Sequence, residues 1–160
     1  MRRPPQLDTK VIPGSDGEQL LLDTRFFPIV FGVFDGPLTE KIVDEYYGWR
    51  KPVTAYAASL GQKIIMVIDA DKAGIPKPTV RKKTSEYAAG DKDDPGFDIS
   101  IFIVNNPLMR GALTAMIWVM GTEKAQAGWA GNYADAAAKA VERLGQPTNL
   151  DPSTYKFNDS

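Results

Sequence analysis

The sequence predicts a small α/β domain: a mixed, mostly parallel sheet with helices packed on it, in the order β-β-α-β-α-β-α-β-α. Three observations carry this expectation. Two near-continuous apolar runs, Lys63 to Asp69 and Ile99 to Val104, have the composition of strands covered on both faces. Segments with apolar residues at helical spacing lie around them, so strands and helices alternate. Finally, 160 residues of which 43% are apolar suffice for one domain whose core needs no disulfide, and the chain has no cysteine.

The elements follow in order. Residues 1–18 carry Pro4, Pro5, Pro13, Gly14 and Gly17 and read as a flexible arm, with room for one edge strand at Val11-Ile12. Leu20-Leu21-Leu22 begins a first strand, and Pro28 interrupts the run. Ile29 to Phe34 is rich in β-branched and aromatic residues and gives a second strand, close enough to form a hairpin with the first. Leu38 to Leu60 reads helical, with Thr39 as N-cap; Pro52 predicts a kink or break near Arg50-Lys51. After Gly61 comes the central strand 63–69, then a loop and a helix opened by Pro78 at a position where proline is favoured.

The strand 99–104 leads through Asn105-Asn106-Pro107 into the most regular helix. Met109, Ala112, Leu113, Met116, Ile117 and Met120 form its apolar stripe. Ala125 to Trp129 predicts a last strand. Asn132 caps a final helix that Gly145 and Pro147 end. The domain thus spans 19–145, and 146–160 is a polar, proline-punctuated tail. Within the tail, Tyr155 and Phe157 alternate with polar residues and can dock on the body as a short strand, or on a neighbouring subunit.

Composition narrows the function. The absence of histidine and cysteine removes the serine–histidine triad, thiol catalysis and most zinc sites. A net charge of −1 argues against nucleic acid as a partner. No apolar run approaches the ~20 residues of a membrane span, and no signal-like stretch follows Met1, so no integral membrane association and a cytoplasmic location are expected. No cofactor is implied.

Four groups of residues invite chemistry. Asp69-Ala70-Asp71 ends a buried strand, where a carboxylate pair can hold a divalent metal or serve phosphoryl or glycosyl transfer; the alternative is that Asp69 caps the following turn. Lys72, Lys77, Arg81, Lys82 and Lys83 gather at a helix N-terminus and suit an anion or an acidic partner loop, or simply a solvated helix face. Arg110, Thr114 and Trp118 share a helix face away from the apolar stripe, which suits a partner or oligomer contact; Arg110, placed against the dipole in the first turn, also suits an anion or a carboxylate from the preceding loop. Met66, Met109, Met116 and Met120, with Trp118, suit either core packing or an adaptable apolar pocket.

Three stretches give a resemblance: Val33-Phe34-Asp35-Gly36-Pro37-Leu38-Thr39, Val67-Ile68-Asp69, and above all Asn106-Pro107-Leu108-Met109-Arg110-Gly111-Ala112-Leu113-Thr114-Ala115-Met116-Ile117-Trp118. Over roughly residues 28–145 the chain resembles the STAS domains, specifically the SpoIIAA-like family, with a kinship to Sec14-type domains. The resemblance implies a non-enzymatic domain that binds a protein partner; the off-stripe Trp118 adds the expectation that it also associates with itself, as a homodimer. It also implies a phosphorylated hydroxyl at the start of the second major helix. Thr79 is the hydroxyl there, yet it follows Pro78 where STAS antagonists have Asp. Kinship to Sec14-type domains implies a carrier of a small apolar or anionic, lipid-like ligand, which requires a cavity of about 300 Å³ or more.

Overall fold

The run Ile-Ile-Met-Val-Ile becomes the middle of a six-stranded sheet. A computed structural model describes residues 1–120 and 126–157, without the side chains of 117–120. Strands β1 (Val11–Pro13), β2 (Gln19–Asp23), β3 (Ile29–Asp35), β4 (Ile64–Asp69), β5 (Phe97–Ile103) and β6 (Ala127–Ala130) lie side by side in sequence order. The pairs β1–β2 and β2–β3 are antiparallel, and β3 to β6 run parallel. Every residue of β4 is buried, as its uninterrupted apolar sequence demands.

Four helices complete the described fold: α1 (Glu40–Ser59), α2 (Pro78–Ala88), α3 (Pro107–Met120) and α4 (Tyr133–Leu144). Parallel strands laid down in sequence order, joined by crossovers of one hand, put successive helices on one face. Thus α1, α2 and α3 share a face and α4 takes the other. On the α1 side Val30, Met66 and Ile68 meet Ile42, Tyr46, Trp49 and Val53. On the α4 side Phe31, Ile65, Val67 and Ile101 meet Ala136, Ala137 and Ala140, three fully buried alanines small enough to bring the helix close to the sheet. Each large apolar side chain so buried contributes roughly 1.5–3 kcal/mol.

Caps fix the helix starts. Thr39 accepts from the Ile42 N–H at 3.1 Å, Asn106 from Leu108 at 2.9 Å, and Asn132 from Asp135 at 2.8 Å. Gly145 ends α4 at φ 65°, where a side chain would strain.

Three expectations need correction. The arm, expected to be flexible, is folded, and the edge strand expected at Val11-Ile12 is β1. Lys10 O accepts from Leu22 N–H, β1 pairs with β2, Leu7 is buried, and the Trp49 indole N–H donates to Gln6 O at 2.8 Å. Proline-rich composition disguised a segment held by tertiary contacts. Second, α1 runs unbroken through Pro52. Gly48, whose carbonyl loses its donor, is exposed, so water can replace that hydrogen bond. Ile42, Tyr46 and Trp49 before Pro52 and Val53 and Ala57 after it bury on one sheet face, and that burial outweighs the lost bond. Third, the tail docks as turns, not as a strand: Leu150 is buried and the Tyr155 ring stacks on Phe31 at 3.9 Å.

Candidate functional site

Where α1, α2 and α3 meet the sheet, their side chains do not fill the space. A crevice of about 80 Å³ lies among Phe34, Tyr46, Ile68, Phe102, Met109 and Met116. A second, of about 60 Å³, adjoins it and shares Ser100, Phe102, Leu113 and Met116 as walls. Of the methionines expected to line a pocket, Met109 and Met116 do. Met66 is packed in the core under α1, and Met120 and Trp118 have side chains outside the described residues. Both volumes fall well short of the ~300 Å³ that a lipid-like cargo requires.

The first crevice is apolar apart from Tyr46, Tyr47, Thr84 and Ser100, while the second adds Ser85, Asp91 and Gln126 to its walls. Ser100 opposes Met66 in the β4–β5 register and sits almost buried in an otherwise apolar surface. Tyr46 comes from α1 and is 6% exposed. Its hydroxyl interacts with Arg50 and Ser100, yet among the described residues it is buried without a hydrogen bond of good geometry. Burial pushes its phenol above the ordinary range. Gln126, a wall of the second crevice, has its amide oxygen buried without a partner among the described residues, while its amide nitrogen donates to Asp98 O at 2.8 Å.

Beside the Tyr46–Ser100 corner Arg50 donates to the carboxylate of Asp91, and both are buried. The guanidinium also lies 4.2 Å from the Phe97 ring centroid and 4.6 Å from that of Tyr47. Burial works against the Arg50 charge, but Tyr46 and Asp91 outweigh it and raise its pKa. Burial pushes the Asp91 carboxyl up more than Arg50 draws it down.

The sequence-predicted residues fall elsewhere. Asp69 accepts from the Asp71 N–H at 3.0 Å and from the Tyr133 hydroxyl at 2.6 Å. Asp71 accepts from the Asn105 backbone at 2.6 Å and its side chain at 2.7 Å. Burial would raise the Asp71 pKa, but those Asn105 bonds win and lower it. The pair therefore ties the ends of β4 and β5 together. No three acidic side chains converge as a metal site among the described residues.

Lys77 and Thr79 are exposed at the start of α2, which has no side-chain cap, so Thr79 does not serve as one. Arg81, one turn on, lines an open groove between α2 and α3 together with Lys82, Ser85, Ala115 and Met116. Arg110 stands over the Trp129 ring at 4.9 Å, and Thr114 donates to Arg110 O at 2.7 Å. An aromatic face, not the expected carboxylate, is the partner of Arg110.

Sequence reasoning missed Tyr46, Ser100, Arg50 and Gln126, and the pairing of Asp91 with Arg50. Two signals were present: a serine inside an apolar strand, and an arginine on the buried stripe of α1. No protein-family profile and no curated protein matches the chain. Among solved structures it is similar to an uncharacterized protein of the DUF3478 family with a SpoIIAA-like fold, from Shewanella loihica PV-4. The identity is 14% and the TM-score 0.49, over 81% of this chain and 97% of that one.

Proposed function

We propose that the chain is a non-enzymatic, STAS-like interaction domain that receives a partner protein in the groove between α2 and α3. The observation that carries this reading is the groove itself. It encloses about 600 Å³, is walled by Pro78, Ala89, Ala115 and Met116, and is edged by the heads of Arg81 and Lys82 against the single acid Glu86. An apolar floor with a basic rim fits a helical segment that presents leucine-like anchors on one side and carboxylates beside them. The resemblance to STAS domains supports the same class of role.

A synthetic amphipathic helix built of Leu and Glu serves as the probe, with a Leu/Lys helix of the same spacing as control. Fluorescence anisotropy should register the Leu/Glu helix and not the Leu/Lys helix. Ala115→Arg should abolish binding, and Arg81→Glu with Lys82→Glu should weaken it about tenfold or more. Equal binding of the two helices, or no effect of Ala115→Arg, would overturn the reading. Sedimentation of the free protein tests whether a second copy occupies the groove: a dimer broken by Ala115→Arg would make that copy the partner.

A further inference from the structure

We infer that the paired crevices beneath α1, α2 and α3 are a binding site for a small, neutral, hydroxyl-bearing molecule of single-ring or comparable size. The inference is independent of the α2–α3 groove and its partner.

Buried polar atoms in folded proteins are almost always hydrogen-bonded, because an unmade bond costs the full desolvation of the group. Here two such atoms, without partners among the described residues, belong to walls of the adjoining crevices: the Tyr46 hydroxyl at the first and the Gln126 amide oxygen at the second. Ser100 stands between them as a wall of both. An apolar body in the crevices with a hydroxyl at the Tyr46–Ser100 corner would satisfy the first. A second donor directed at Gln126 would satisfy the other. Volume sets the size: an apolar cavity of about 150 Å³ holds benzene, and the two crevices measure about 80 and 60 Å³.

Charge sets the rest of the chemistry. Arg50, the cation nearest this corner, is already matched by Asp91, itself a wall of the second crevice, so an anionic ligand would meet a carboxylate and no free counter-ion. A neutral hydroxyl compound makes the missing bonds without that cost. Met109 and Met116 provide flexible walls that can adjust to the ring.

Phenol is the probe and benzene its isostere without the hydroxyl. With the methionine methyls labelled for NMR, phenol should shift Met109 and Met116 and bind about tenfold more tightly than benzene. Tyr46→Phe should equalise the two ligands while leaving the unliganded melting temperature no lower, since it deletes an unsatisfied group. Ser100→Ala should reduce the preference for phenol as a second, independent variant. No shift at concentrations up to about 10 mM, or a phenol preference that survives Tyr46→Phe, would overturn the assignment. So would a lower melting temperature of unliganded Tyr46→Phe, which would make the hydroxyl structural. None of these outcomes depends on whether an acidic helix binds the groove.

Discussion

The clearest physical decision at residue scale is the pairing of Arg50 with Asp91 inside the α1–α2–sheet junction. A guanidinium surrounded by Phe97, Tyr47 and Tyr46 survives burial because one carboxylate and three ring faces oppose its charge. Taking away one partner strands the other. Arg50→Met should therefore destabilise by about 3–5 kcal/mol, while Arg50→Met with Asp91→Leu should recover much of the loss. Urea denaturation of the four forms in a double-mutant cycle measures this; independent, additive losses would mean the pair carries no coupling. The same pair shows where sequence reading stops. Charged residues at 50 and 91 look alike whether exposed or buried, and 41 positions separate them. Only the packing of α1 against the turn at Asp91–Asp93 that follows α2 makes them partners. Asp69 was legible for the opposite reason: its bond to the Asp71 N–H is local, two residues away.

At the scale of elements, α1 joins a legible start to an illegible middle. Its cap at Thr39 is a local interaction, and the sequence predicts it correctly. Its continuity through Pro52 is not local, because it depends on what both halves bury. Gly48 sits one turn before Pro52, exposed, helical, and with nothing near the place a Cβ would occupy. The glycine therefore adds backbone entropy in the unfolded chain and nothing to packing. Gly48→Ala should stabilise by about 0.5–1 kcal/mol, read as a raised denaturation midpoint at unchanged m-value. A loss of stability would mean that the helix needs glycine's freedom to pass the proline ring. The strands illustrate the same division. β4 and β5 announce themselves through apolar composition, whereas β1 is three residues long and exists because β2 is there to pair with it.

For the whole molecule, the two ends of the chain finish opposite sheet faces. Leu7 closes the α1 side, and the tail closes the α4 side through Tyr155, which stacks on fully buried Phe31 and donates to Asp23 at 2.9 Å. Arg25 ties the junction by donating to Asp23 at 2.8 Å and to Lys156 O at 2.9 Å. Burial alone would raise the Asp23 pKa, but the hydrogen bonds from Arg25 and Tyr155 outweigh it and hold it below the ordinary 3.8. A depressed folded value means the unfolded chain takes up the proton first. The latch is thus at full strength above the ordinary carboxylate range and fades as pH falls through the lower, folded value. Thermal melts of the intact protein and of Asp23→Asn should differ by about 1–2 kcal/mol near neutrality and converge once the pH has fallen below the depressed folded value. Tyr155→Phe should remove part of the difference while keeping the ring on Phe31, so its loss is smaller than that of Tyr155→Ala. Melting curves that stay a constant distance apart across the whole acid range would show that Asp23 holds the tail by shape and not by charge.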